Sequence, residues 1–177
     1  MKTLKDKNIL QKTISLKYIF IISIFFLSEV VCAQTKARII GIKDGDTVTA
    51  LLEGDIQKTL RLAEVDCPES GQPFGKNAKE FTSGEIFGKD IVFYETDQDR
   101  YGRTIAKIYY DSGKYLSEEI IKSGLGWWYH QYSKNTQLGK LQEAAKFNGL
   151  GLWQDKNAIS PYEWRKLNKL KNQKDEY

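Results

Sequence analysis

Two periodicities alternate along the chain, one of two residues and one near 3.6, and the changeovers fall at turn residues. Arg38-Ile-Ile-Gly-Ile-Lys43 and Thr47-Val-Thr-Ala-Leu-Leu52 predict two strands around Asp44-Gly45, a strong hairpin signal. After the Glu53-Gly54-Asp55 turn, Lys58 to Val65 alternates polar and apolar residues as a half-buried third strand does. Asp66 to Pro73 reads as a loop punctuated by Pro68, Gly71 and Pro73. Phe74, Ala78 and Phe81 share one face of a helix that ends near Gly84 or Gly88. Lys89 to Glu95 and Thr104 to Tyr110 predict a fourth and a fifth strand, the latter closed by Asp111-Ser112-Gly113. Leu116, Ile120 and Ile121 mark a second helix with Gly124 placed to cap it; Leu138, Leu141 and Ala145 mark a third, with Gly149 just beyond.

The order β-β-β-α-β-β-α-α predicts an α+β, mainly β fold: an OB-type five-stranded β-barrel with three helices, spanning residues 34–167. From Pro161 the chain turns polar and lysine-rich, and residues 168–177 read as a loose, flexible tail. No internal repeat is visible.

Met1 to Ala33 carries the three parts of a secretory signal. A lysine-studded front precedes the apolar run Tyr18 to Leu27, and Val31-Cys32-Ala33 offers a cleavage site before Gln34. The run is about half the ~20 residues a spanning helix needs. The expectation is a cleaved leader and a secreted or periplasmic protein, the alternative an uncleaved membrane anchor. This segment also corrects the charge. The chain of 177 residues has 27 Lys and Arg against 23 Asp and Glu, a net +4. Five leader lysines against Asp6 and Glu29 supply +3 of that, so the remainder stands near +1. A nucleic-acid footprint must then be a local patch rather than a global charge.

Beyond the leader one cysteine remains, Cys67, which excludes an internal disulfide. His130 is the only histidine, and no Cys/His cluster has zinc spacing. Chemistry, if present, must run on carboxylates, arginines or an oxygen-bound metal.

Three segments carry such groups: Asp44-Gly45-Asp46-Thr47, Arg61 to Glu69, and Asp99-Arg100-Tyr101-Gly102-Arg103. Each alone has a bland reading, respectively a hairpin turn, a salt bridge at a strand edge and a solvated turn. Together they offer a complete set. Asp46 and Asp66 are hard oxygen donors suited to Ca²⁺ or Mg²⁺. Two arginines on separate segments can fork onto one phosphate. Glu69, in a Pro-flanked loop, can orient or deprotonate a water.

In residue, order and spacing these segments resemble the signature of the staphylococcal nuclease (thermonuclease) family, over roughly Lys36 to Trp164. The resemblance implies that Asp46 and Asp66 bind calcium, and that the main-chain carbonyl of Cys67, where the family has threonine, completes the shell. It places Asp44 behind the metal and assigns Arg61, Glu69 and Arg103 as the catalytic trio. Tyr101 matches a phosphate-contacting tyrosine, Arg100 replaces a lysine at the substrate edge, and His130 stands where the family places a tyrosine against the base; Tyr132 is a further candidate for stacking. Pro161-Tyr-Glu-Trp-Arg165 resembles a closing segment of bacterial members, with a structural role.

The implied activity is that of a monomeric, Ca²⁺-dependent nuclease with no stable protein partner. It would hydrolyse phosphodiester bonds of DNA and RNA, cleaving the 5′ P–O bond to leave 3′-phosphates. The alternatives are a nucleic-acid-binding OB module without catalysis and an adhesion protein reusing the fold. Retention of the trio and both metal aspartates favours the enzyme.

Overall fold

A computed structural model describes residues 34–175, so the leader expected over residues 1–33 lies outside the described part. Five strands form the barrel: β1 (Gln34–Ile42), β2 (Thr47–Leu51), β3 (Gln57–Leu62), β5 (Asp90–Gln98) and β6 (Thr104–Tyr110). They lie in the order β3-β2-β1-β5-β6, and a parallel ladder between β3 and β6 closes the sheet on itself. In that ladder Leu60, Arg61 and Leu62 stand opposite Thr104, Ile105 and Ala106. Alternation does the sorting. Along β6, Thr104, Ala106, Ile108 and Tyr110 are buried while the residues between them are half-exposed. Ile39, Val48, Leu60, Leu62, Phe93 and Ile108 fill the interior. The fold is the mainly β OB barrel expected from the sequence.

Among the described residues, four helices accompany it: α1 (Gly75–Ile86), α2 (Leu116–Lys122), α3 (Thr136–Phe147) and α4 (Pro161–Asp175). The expected count of three is therefore corrected; the fourth helix begins at Pro161 and runs on through residues 168–175. Ser160 and Glu163 form a capping box: the Glu163 amide donates to Ser160 Oγ at 3.2 Å, and the Ser160 amide donates to Glu163 Oε2 at 2.9 Å. Pro161 then occupies the first helical position, where its missing N–H removes nothing. The Leu-, Lys-, Asn- and Gln-rich run beyond contains neither Gly nor Pro to stop it. No helix among the described residues is long and apolar enough to cross a membrane.

The third strand also differs from expectation. It does not run through to Val65, because Glu64 adopts φ 68° and breaks the alternation. Val65 and Asp66 instead form β4, paired antiparallel with β8 (Trp127–Trp128). A further two-residue strand, β7 (Lys114–Tyr115), folds back antiparallel onto the end of β6. The break at Glu64 lifts Asp66 out of the presumed loop and onto a paired strand.

Candidate active site

The β1–β2 turn is not a solvated hairpin end. A side chain at Gly45 would stand 2.7 Å from Ala78 Cβ and 2.8 Å from Cys67 Cβ, so only glycine allows the turn to seat against α1. The Gly45 carbonyl accepts from Thr82 Oγ1 at 2.6 Å. Asp44 Oδ1 accepts the Asp46 amide at 3.0 Å, an Asx turn that aims the Asp46 carboxylate inward. There Asp46 Oδ2 accepts the Cys67 amide at 2.7 Å, and Asp46 Oδ1 accepts from Thr47 Oγ1 at 3.2 Å.

Arg61 leaves β3 beside this turn and is held on all sides. Its Nη2 lies 3.1 Å from Asp46 Oδ2 and 2.9 Å from Asp66 Oδ1. Its Nη1 donates to the carbonyls of Leu62 and Val65, both at 2.8 Å. The Glu64 break curls those two carbonyls around the guanidinium. Burial works against the charge of Arg61, and the carboxylates of Asp46 and Asp66 more than offset it, leaving its pKa raised. Asp46 shows the opposite balance. Burial, with smaller repulsion from Asp44 and Asp66, outweighs Arg61 and the Cys67 amide, and its pKa is pushed up to about 7. Burial and the Asp46 charge also raise the Cys67 thiol well above its usual range, so the thiol is neutral and packs as an apolar group.

Glu69 sits on the loop between β4 and α1. Its amide donates to Gln72 Oε1 at 3.2 Å, and its carbonyl accepts the Gln72 amide at 2.9 Å. A Cβ at Gly75 would fall 1.9 Å from the Glu69 carbonyl oxygen, so the close approach of α1 that fixes this loop requires glycine. The Glu69 carboxylate meets Arg165, in the segment expected to be structural. Arg165 on α4 places Nη1 2.6 Å from Glu69 Oε1 and Nη2 3.1 Å from Asp66 Oδ2. Carboxylates and guanidiniums thus alternate in one connected row, Asp46, Arg61, Asp66, Arg165, Glu69. A groove of about 790 Å³ opens at its Glu69 end, with Ser70 and Gly71 on one wall and Arg165, Asn168 and Lys169 on the other.

Arg103 joins the row indirectly. Its Nη1 donates to Thr47 Oγ1 at 3.3 Å, and that hydroxyl donates to Asp46. Thr47 is the second residue whose part the sequence did not disclose. Asp99 braces Arg103, its Oδ2 accepting from Nε at 2.7 Å while Oδ1 accepts the amides of Tyr101 and Arg103. Burial is the largest single influence and pushes the Asp99 carboxyl up, but the hydrogen bonds from Arg103 and Tyr101 together outweigh it and leave its pKa lowered. Tyr101 is exposed, with the guanidiniums of Arg100 and Arg103 at 4.8 and 5.8 Å from its ring centroid.

The remaining candidates stand further off. His130 and Tyr132 lie on an exposed 3-10 turn, His130 against Trp128 and Tyr132 against Tyr129. Tyr129 is the aromatic that feels the row. Burial raises its hydroxyl pKa, with the Asp66 charge adding to the shift. The structure therefore brings Asp44, Asp46, Arg61, Asp66, Cys67, Glu69 and Arg103 together and leaves Arg100, Tyr101, His130 and Tyr132 at the periphery.

For a metal, the donor chemistry fits a hard divalent cation. Asp46 and Asp66 offer buried carboxylate oxygens, and burial disfavours the ionised form of Asp46, a penalty that a bound cation would relieve. Among the described residues, no group of three or more His, Cys, Asp or Glu side chains is arranged around one point. The other ligands would be backbone oxygen, water and substrate, a mode such cations commonly accept.

A closed OB barrel with interleaved carboxylates and guanidiniums at its rim carries groups suited to engaging phosphate. Comparison with known proteins supplies the family. Residues 59–155 match the family model described as staphylococcal nuclease homologue. An uncharacterized endonuclease of Haemophilus influenzae is 38% identical over 141 residues, covering 78% of this chain and 79% of its own. A micrococcal nuclease of Shigella flexneri is 33% identical over 147 residues, covering 77% of this chain and 84% of its own. An uncharacterized endonuclease of Escherichia coli O157:H7 is 30% identical, covering 84% of this chain and 97% of its own. The chain belongs to the staphylococcal nuclease family. The matched residues include Arg61, Asp66, Cys67, Glu69 and Arg103; Asp44, Asp46 and Arg165 lie outside them.

Proposed function

We propose that this protein is a calcium-dependent nuclease that hydrolyses DNA and RNA at the 5′ P–O bond and leaves 3′-phosphates, working as a monomer. The observation that carries the reading is the unbroken row Asp46, Arg61, Asp66, Arg165, Glu69 at the barrel rim. Asp46, Asp66 and the Cys67 carbonyl would hold the calcium. When bound, the ion would supply charge to polarise the scissile phosphate.

The protein's own groups account for the rest. Glu69 has one oxygen on Arg165 and keeps the other to accept a proton from an attacking water. Arg61, fixed by two carboxylates and two carbonyls, presents a preorganised positive charge that needs no reorganisation as the phosphorane charge builds. Arg103, braced by Asp99 through Nε and by Thr47 through Nη1, would offer Nη2 to the opposite side of the phosphate, where the leaving oxygen develops charge. Arg100 and Tyr101 on the exposed turn, with His130 and Tyr132 on the 3-10 turn, would guide the flanking strand.

The test is incubation of purified protein with denatured DNA and RNA, with Ca²⁺ or with chelator, followed by end-group analysis. Cleavage only with Ca²⁺, giving 3′-phosphate ends, is expected. Undiminished cleavage in chelator would remove the metal assignment, and 5′-phosphate ends the bond assignment. Binding without cleavage would return the protein to the class of OB binding modules. We also propose export with loss of residues 1–33, supported by the three-part leader. Mass spectrometry of the protein from its host should find Gln34 or its cyclised form at the N-terminus; an intact Met1 would indicate an anchor.

A further inference from the structure

Glu69 is held through its main chain, by Gln72 and by the close approach of Gly75. Its side chain stands at the groove mouth, where a carboxylate on two flexible torsions would sample several rotamers. Arg165 removes that freedom. One planar guanidinium spans two carboxylates, with Nη1 on Glu69 Oε1 at 2.6 Å and Nη2 on Asp66 Oδ2 at 3.1 Å. A fork of fixed geometry on two acids sets the offset between them, which a single ammonium cannot do.

The pair differs from an ordinary surface salt bridge because its helix is anchored at the point that matters. Pro161 is buried, and the Ser160–Glu163 box fixes the start of α4. Trp164, the neighbour of Arg165, lines a 180 Å³ cavity together with Pro68, Pro73, Phe74 and Trp127. The Gln72 side chain completes the tie: its Oε1 accepts the Glu69 amide, and its Nε2 donates to the Ile159 carbonyl just ahead of α4 at 2.8 Å. The loop bearing Glu69 and the helix bearing Arg165 are therefore joined twice, once through Gln72 and once through the guanidinium.

We propose that Arg165 is a positioning residue for the hydrolytic reaction, holding the Glu69 carboxylate at a set offset from Asp66 so that one oxygen faces the attacking water. The inference rests on the nuclease reading above. Arg165 lies beyond the residues matched by the family model, so the assignment comes from its contacts alone. Misplacing a reacting group by about 1 Å can cost about 10²-fold in rate, and loss of an outer partner of a metal-site residue typically costs about 10–100-fold.

The experiment compares the full chain with Arg165→Ala, Arg165→Lys, Glu69→Gln and the Arg165→Ala/Glu69→Gln double variant. It measures kcat and KM on denatured DNA with Ca²⁺, Ca²⁺ binding by calorimetry, and the unfolding midpoint of each protein. Arg165→Ala should lose about 10–100-fold in kcat, with KM and Ca²⁺ affinity within about threefold and a cooperative unfolding transition. Arg165→Lys should recover only part of the loss. In the Glu69→Gln background, Arg165→Ala should add almost nothing, because residues acting as a unit are non-additive. Full additivity, or an unchanged kcat in Arg165→Ala, would overturn the proposal. So would Ca²⁺ binding more than tenfold tighter with raised turnover, which would make Arg165 a plug. A wild-type protein that never cuts overturns the nuclease reading and this one together; a wild-type protein that cuts while Arg165→Ala cuts equally well overturns this one alone.

Discussion

The row of charges has two halves built on different principles. In the inner half the side chains of Asp46, Arg61 and Asp66 are 9%, 12% and 6% exposed; Arg61 and Asp66 hang from paired strands and Asp46 from the tight turn that joins two of them. In the outer half the side chains of Glu69 and Arg165 are 40% and 44% exposed and hang from a loop and a helix. The inner half is part of the fold: removing one member strands buried charge. The outer half is mounted on the fold, so its members can be changed with the barrel intact. Under the proposed reading, a buried electrostatic platform stands beside an exposed, guanidinium-held carboxylate that would accept the proton.

The sharpest test of this contrast is Glu69→Gln. The amide keeps the size but cannot take a proton, so kcat should fall by about 10²–10⁴-fold, with the unfolding midpoint nearly unchanged. A large loss of stability would mean that the outer half is structural after all. Arg61→Ala tests the inner half from the opposite side. It leaves Asp46 and Asp66 buried without their shared partner and should cost about 3–5 kcal/mol of stability, readable by urea unfolding in chelator. A stability loss below ~1 kcal/mol, the range of exposed pairs, would erase the distinction between the halves.

Asp46 gives a pH signature to the inner half alone. Its pKa in the fold is raised to about 7 from an ordinary 3.8, so between these values the folded protein binds a proton that the unfolded chain does not. Its contribution to stability is therefore greatest near pH 4, falls as pH rises, and is fully lost above about 7. In chelator, the stability difference between wild type and Asp46→Asn should shift against the wild type across this window. A flat difference would show that the carboxyl titrates normally. The smallest effect belongs to the periphery: Arg100→Ala should leave kcat in place, weaken nucleic-acid binding, and reduce the salt slope by about 1. A collapse of kcat there would move the exposed turn into the catalytic centre.

What was legible in the sequence was whatever rests on local pattern. The Asp44-Gly45 hairpin, the alternation along β6 and the motif residues Asp46, Arg61, Asp66, Glu69 and Arg103 all lie in short stretches whose spacing reports them. The break at Glu64 was not legible, because a left-handed glutamate is held by tertiary contacts: Tyr115 and Ser133 donate to its carboxylate, and Lys107 pairs with it. Arg165 was missed for a related reason. Its partners lie 96 and 99 residues away, and no local periodicity encodes such a contact. A clue was present nonetheless, since Ser160-Pro161-Tyr162-Glu163 is a helix-start signature just ahead of Arg165. Thr47 stood inside a recognised motif, but its role as the hydroxyl between Arg103 and Asp46 appears only when β6 has come round beside β3.

That closing ladder has a consequence in time. Parallel pairing of β3 with β6 joins segments distant along the chain, and such contacts form slowly because a long loop must first be closed. Arg61 lies on one side of the ladder and Arg103 immediately precedes the other, so the two guanidiniums meet only once it has zipped. A chain with its hairpins already formed but its barrel still open lacks a working site. Competence therefore depends on closure of the barrel and not on its hairpins alone.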